Sequence, residues 1–188
     1  LMSICGNYMK QKGTLKKNTI VATVMSNLGM FLMGEREGIH IEKTKVGDRY
    51  VLENMLENGY NIGGEQSGHI IFLDENTTGD GLLSALHLLQ VMTETKKKLS
   101  ELASIMEVLP QALVNAKVPN HKKEHFEEYV EIAEAIAEVE AKFEGEGRVL
   151  IRPSGTEPLV RVMIEGKDQQ LIESEAQKLA ELISSIML

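Results

Sequence analysis

The chain has 188 residues, room for one or two ordinary domains, with 43% hydrophobic and 26% charged residues, a balance that excludes disorder along its whole length. No apolar run approaches the ~18 residues of a membrane-spanning helix, and a single cysteine, Cys5, excludes an internal disulfide framework or a cysteine-based zinc site and fits a reducing cytoplasm. Twenty basic against 28 acidic residues (formal charge -8), no Trp and 4% aromatics argue against nucleic-acid binding by phosphate neutralisation or base stacking.

The chain opens inside an amphipathic pattern (Leu1, Met2, Ile4, Cys5, Tyr8, Met9) with no capping residue before it, so it is expected to be a piece of a longer protein without a signal peptide. Thr19–Val24 is a β-branched run that predicts a buried strand. Ser26 or Asn27 caps a helix that Gly38 ends. Ile39–Val46 predicts a second strand. Gly47–Asp48 opens a helix with Val51, Leu52, Met55 and Leu56 as its apolar face and Gly59 as its stop. Tyr60–Ile62 and His69–Leu73 predict two more strands, separated by the glycine-rich Gly63–Gly68. Leu82–Met92 is apolar almost all round, which predicts a buried helix. Strand and helix alternate, which predicts an α/β layer with a mixed, mainly parallel sheet.

Thr93–Ser100, with three consecutive lysines, is the expected hinge, giving domains at residues 1–100 and 101–188. Leu102–Val108 predicts a short connecting helix. Beyond it, Gln111–Val118 alternates like a strand. Phe126, Tyr129, Ile132 or Ala133, Ile136, Val139 and Phe143 recur at helical spacing. Arg148–Ile151 and Leu159–Glu165 predict strands, and a last helix starts at Asp168. The order β-α-β-β-α predicts a smaller α+β domain.

Three of the five arginines of the chain fall within Arg148–Arg161, RVLIRPSGTEPLVR. Arginine is suited to planar, bidentate grips on phosphate. Between Arg152 and Arg161, the turn Pro153-Ser154-Gly155-Thr156 offers two hydroxyls, exposed N–H groups and a Gly that allows close backbone approach. These groups together make a receptor for a phosphate dianion. The alternative is a plain hairpin whose arginines pair with Glu157 and neighbouring acids. Arg161 interrupts an apolar strand, and a partly buried guanidinium demands an anionic partner.

A second signal is Gly63-Gly64-Glu65-Gln66-Ser67-Gly68-His69. In extended chain Glu65, Ser67 and His69 would share one side, a carboxylate, a hydroxyl and an imidazole suited to a polyol such as a sugar. A β-bulge with solvated polar residues is an equally good reading of the spacing. Other features carry less. His121 and His125 stand at i, i+4 without a third ligand. Asn76-Thr77-Thr78 is a sequon that a cytoplasmic chain would not use. Glu124–Glu146 holds nine glutamates, most simply a solvated face. Asp74, Glu75 and Asp80 lack the dense carboxylate spacing of a magnesium site.

GGEQSGH at Gly63–His69, NTTGDG at Asn76–Gly81 and RPSGTEPLVRV at Arg152–Val162 together resemble the α-D-phosphohexomutases. ATVMSNLG at Ala22–Gly29 and TKVGDRYV at Thr44–Val51 look most like the bacterial branch acting on glucosamine phosphates. The resemblance covers essentially the whole chain and corresponds to the third and fourth of the family's four domains. It implies interconversion of glucosamine 6-phosphate and glucosamine 1-phosphate, on the route to UDP-N-acetylglucosamine, through a phosphoserine and glucosamine 1,6-bisphosphate. Arg152, Ser154, Gly155, Thr156 and Arg161 match the loop that holds the phosphate not being transferred. Glu65 and Ser67 match the sugar grip, and His69 is a candidate for orienting the sugar or assisting proton transfer. Lys45, Asp48 and Arg49 fall in the third-domain loop near the sugar. The phosphoserine loop and the Asp-rich Mg loop of the family have no match here, so the implied partners are an amino-sugar phosphate and the N-terminal domains of the same protein, and the chain alone is expected to be inactive. A phosphomannomutase or phosphoglucomutase, a stand-alone sugar-phosphate binding module, and a purely structural pair of domains are the other readings.

Overall fold

The computed structural model describes every residue but Glu144, which belongs to the acidic run noted above. It divides into two compact units, Leu1–Val108 and Leu109–Leu188.

In the first unit, β1 (Thr19–Thr23), β2 (His40–Thr44), β3 (Ile62–Gly64) and β4 (Ile70–Phe72) form a sheet in the order β2-β1-β3-β4. The first three strands are parallel, and β4 runs antiparallel to β3. Side chains alternate between its faces. Ile20, Ala22, Ile62, Ile70 and Phe72 point into a core shared with α1 (Met2–Gln11), α2 (Leu28–Glu37) and α4 (Gly81–Thr95). Val21 and Ile71 point the other way, onto Val51 and Met55 of α3 (Asp48–Asn58). The unit is therefore a three-layer α/β/α fold. Local chemistry sets the helix ends: Asn27 and Asp80 cap α2 and α4 through their side-chain oxygens, and Gly38 and Gly59 close α2 and α3 in the left-handed conformation.

Two expectations need correction. The segment expected as a hinge is folded into the first unit. Its lysines end α4, with Lys96 at φ 57, and α5 (Leu99–Ala103) follows; Leu102 of α5 and Ile105 and Met106 beyond it pack on the first core. The units therefore part at Val108/Leu109 rather than at residue 100. The helix expected to be buried all round is not: Leu82, Leu86 and Leu89 are 74%, 55% and 56% exposed. A helix on an outer layer has one sheet face to pack on, and α4 uses Leu83, Leu88 and Val91 for it.

The second unit is a three-stranded antiparallel sheet, β5 (Gln111–Lys117), β7 (Leu159–Glu165) and β6 (Arg148–Pro153), with β7 central. Ala112, Ala116, Val160, Val162 and Ile164 face α6 (Val130–Lys142) and α7 (Gln169–Met187), whose Ile132, Val139, Ile172, Leu179 and Ile183 complete the core. The helical periodicity from Phe126 to Phe143 is divided in the structure, with a tight turn at Lys123–Glu128 before α6 begins at Val130. The buried Glu175 of α7 is held ionised by Lys142 and Lys178, 2.7 and 2.8 Å away, and its carboxyl lies below the usual range. The Cys5 thiol is pushed up to about 11 by burial, so it is a packing residue and not a nucleophile.

Gly29 ties the end of the first unit to its start. A Cβ there would lie 1.7 Å from the Glu107 carbonyl oxygen, a backbone atom that cannot yield without moving the chain. Gly29→Ala is expected to cost about 1–3 kcal/mol in denaturant unfolding; a neutral substitution would contradict this packing.

Candidate functional site

Each unit carries a cluster of the residues singled out from the sequence. In the first unit, three loops meet at the end of the parallel strands. The β3–β4 connection is a tight hairpin: the Glu65 N–H donates to the His69 carbonyl at 2.9 Å, the Gly68 N–H donates to the Glu65 carbonyl at 3.1 Å, and Gly68 takes φ 97. Glu65 and His69 are thus opposed across the hairpin mouth, with Ser67 exposed at its tip. The expected grouping by alternation in extended chain does not hold. Proximity comes from the turn.

The Glu65 carboxylate accepts from the Gly47 N–H at 2.9 Å, at the start of α3. This anion at a helix N-terminus is favoured by the helix dipole and joins the β2–α3 loop to the hairpin. From the same helix start, Asp48 Oδ2 lies 3.4 Å from His69 Nε2. The third loop brings the Gly79 N–H to within 3.2 Å of that same nitrogen. His69 Nε2 therefore stands between a donor and an acceptor. A neutral ring accepts from Gly79, and a protonated ring donates to Asp48. Glu65, Gln66 and Gly68 also line a concavity of about 220 Å³ together with Ser26 and Asn27.

Lys45 and Arg49 are exposed and are not drawn into this cluster. Arg49 is engaged with Glu53 one turn along α3 at 2.7 Å, and the Lys45 side chain makes no hydrogen bond or ion pair among the described residues.

In the second unit, the alternation that turns Val160 and Val162 inward places Arg161 on the opposite face of the sheet. Its direct cross-strand partner on β6 is Arg152. Two like charges at one register position repel, by about 0.2–1 kcal/mol. The two strands join through Ser154–Pro158. There the Ser154 Oγ accepts from the Glu157 N–H at 3.2 Å, and the Ser154 N–H donates to the Leu159 carbonyl at 2.9 Å. The N–H groups of Gly155 and Thr156 make no hydrogen bond among the described residues. Arg152, Pro153, Ser154, Gly155, Thr156 and Arg161 together line one concavity of about 210 Å³.

The hairpin alternative is met in part. Arg161 Nη2 reaches Glu157 Oε2 at 3.2 Å, a single exposed contact. Arg152 has no ion pair among the described residues. Arg148, in contrast, is committed to the buried Glu165 at 2.7 Å and is not part of the concavity. One residue here was not read from the sequence. Lys123 is buried, and its ammonium donates to the backbone carbonyls of Ser154 and Glu157. Its place in a charged run, His121–His125, gave no signal of burial.

Residues 1–109 match the model of the phosphoglucomutase/phosphomannomutase α/β/α domain III, and residues 113–182 match that of the C-terminal domain of the same family. The chain belongs to the phosphoglucomutase/phosphomannomutase family. It is 62% identical over 183 residues to the phosphoglucosamine mutase of Ruminiclostridium cellulolyticum and 63% identical over 183 residues to that of Acetivibrio thermocellus. Each match covers 97% of this chain and 41% of the relative, so the chain spans about two fifths of the length of those relatives. The fold is that of Aspergillus fumigatus N-acetylphosphoglucosamine mutase (TM-score 0.77, 16% identity, 98% of this chain and 43% of that one). It is also that of an N-acetylglucosamine-phosphate mutase of the α-D-phosphohexomutase superfamily, solved in a substrate complex (TM-score 0.74, 23% identity, 96% of this chain and 43% of that one). No helix among the described residues is long and apolar enough to cross a membrane.

Gly79 holds the His69 ring closely enough that a Cβ would lie 2.4 Å from its Cδ2. Gly79→Ala is expected to displace the imidazole at a stability cost of about 0.5–1 kcal/mol. NMR of the His69 Cε1–H reads the change; an unmoved resonance would show that this contact does not set the ring.

Proposed function

We propose that the chain supplies the sugar grip and the phosphate clamp of a phosphoglucosamine mutase, which interconverts glucosamine 6-phosphate and glucosamine 1-phosphate through a phosphoserine and glucosamine 1,6-bisphosphate. The observation that carries this reading is the Arg152–Arg161 cross-strand pair beside the two unpaired N–H groups of Gly155 and Thr156. Four donor groups and two positive charges converge where a bound dianion would remove the repulsion between the guanidiniums. The identity to bacterial phosphoglucosamine mutases supports an amino sugar over glucose or mannose, and a cytoplasmic place on the route to UDP-N-acetylglucosamine and peptidoglycan.

In such a mutase one phosphate is transferred while the other is held, and the sugar is bound in two orientations. A clamp made of guanidiniums and backbone N–H groups accepts either phosphate, because it reads charge and the phosphate oxygens rather than sugar configuration. Glu65 and Ser67 suit hydroxyl groups, as acceptor and as donor or acceptor. Glu65 is preorganised by the Gly47 N–H, which leaves its second oxygen for a ligand. His69, held between the Gly79 N–H and the Asp48 carboxylate, suits an imidazole that orients the sugar. Of Lys45, Asp48 and Arg49, Asp48 is the one that contacts this loop.

The family relatives include a structure solved with GlcNAc-6P and magnesium. No group of three or more His, Cys, Asp or Glu among the described residues could hold a metal ion, so these residues do not fit a magnesium site. Without a metal centre or a phosphoserine the clamp binds but does not transfer. The chain alone is expected to bind sugar phosphate without turnover in a coupled assay.

Calorimetry with glucosamine 6-phosphate tests the reading. Arg161→Ala is expected to weaken binding by about 1.5–3 kcal/mol, the range for a hydrogen bond to a charged group. Equal binding by both proteins, or none by either, would overturn it.

A further inference from the structure

The second unit buries a cation that the clamp described above does not include. Lys123 is 8% exposed, although all four of its sequence neighbours within two positions, His121, Lys122, Glu124 and His125, are exposed or partly exposed. Burying an ammonium costs several kcal/mol unless its hydrogen bonds and its charge are met. The hydrogen bonds are met. The ammonium donates to the Ser154 carbonyl and, at 3.3 Å, to the Glu157 carbonyl. The charge is not met by an ion pair, for no carboxylate lies within 4.0 Å of it among the described residues. Glu157, whose carbonyl it holds, directs its own carboxylate to Arg161.

The two carbonyls bracket the turn that carries the clamp. The Ser154 carbonyl belongs to the same peptide as the Gly155 N–H, one of the two unpaired donors in the concavity. A cation on the oxygen of a peptide draws electron density from its nitrogen, so the N–H becomes a stronger donor; hydrogen bonds in a chain reinforce one another in this way. The Glu157 carbonyl belongs to a peptide whose nitrogen is that of Pro158 and carries no hydrogen. That contact anchors the far side of the turn and polarises no donor.

We infer that Lys123 is a positioning residue of the phosphate clamp: its buried ammonium fixes the Ser154–Glu157 turn, polarises the Gly155 N–H toward the bound anion, and adds a third positive charge behind Arg152 and Arg161. The inference rests on the phosphate-clamp reading above and goes beyond it, since it assigns the clamp a charge that does not reach the ligand. A cation shielded from water acts through a low-dielectric medium and is less screened by salt than the two partly exposed guanidiniums. It also gives the bound ligand a reason to be doubly charged.

The test is titration of the purified chain with glucose 6-phosphate, a dianion, and glucose 6-sulfate, a monoanion. Lys123→Met keeps the length of the side chain and removes the charge. The expected result is on the order of tenfold weaker binding of the phosphate ester, with a clearly smaller loss for the sulfate ester, and unfolding cooperativity retained. A purely structural role would lower both affinities by the same factor, and unchanged affinity in a folded variant would also overturn the inference. Where Lys123→Met does not fold, the uniformly ¹⁵N-labelled wild-type chain decides. The Lys123 Nζ resonance is expected to move with the same midpoint as the Gly155 amide during phosphate-ester titration, and a Gly155 shift without a Lys123 shift would overturn it. Absence of phosphate-ester binding by the wild-type chain would instead overturn the clamp reading itself.

Discussion

Two guanidiniums stand at one register position of an antiparallel pair, on a face of the sheet that the helices do not cover. Antiparallel strands bring such residues within a few ångströms, and like charges there repel. The arrangement is sustained because the rest of the second unit fixes the strands independently: Val160, Val162 and Ile164 of the central strand are locked into the core with α7, and Arg148 is neutralised separately by Glu165. The repulsion is thus held in place by packing and is available to be relieved by an anion. The turn that joins the strands, with its open N–H groups, sits where that anion would be received.

The first unit follows a different logic. Its cluster is made from loops at the ends of strands whose order is set by alternating burial on two faces. Gly64, Glu65 and His69 belong to the hairpin that joins β3 to the edge strand β4, while Gly47 and Gly79 arrive from the neighbouring connections. Backbone N–H groups, rather than side chains, fix both the carboxylate and the imidazole. This explains why glycine recurs in these loops: a Cβ at Gly64 would meet the His69 carbonyl oxygen at 2.5 Å, and one at Gly79 would meet the His69 ring.

Much of this was legible in the residues, for identifiable reasons. β-Branched runs bounded by capping residues and glycines marked β1, α2 and α3 because those signals are local. The Arg152–Arg161 loop was legible because arginines are scarce in the chain and concentrated there. What escaped depended on tertiary context. The pairing of Arg152 with Arg161 is a matter of register, and the burial of Lys123 reverses the usual behaviour of a charged run. The exposed side of α4 reads as core in composition alone, and the attachment of Leu102, Ile105 and Met106 to the first unit follows from packing of residues far apart in sequence, as the Ser3–Met106 contact across 103 positions shows. The hairpin that sets Glu65 against His69 and leaves Ser67 at its tip is not visible in the alternation, because a tight turn depends on backbone hydrogen bonds that the spacing of side chains does not reveal.

The central claim is that the guanidinium pair and the Gly155–Thr156 backbone receive one phosphate dianion. The most direct measurement is a crystal structure of the chain soaked in glucosamine 6-phosphate. The account predicts a phosphate group bridging Arg152 and Arg161, within hydrogen-bonding distance of the Gly155 N–H, and Arg161 released from Glu157. A fully occupied sugar phosphate elsewhere, with the depression empty and Arg161 still on Glu157, would contradict it.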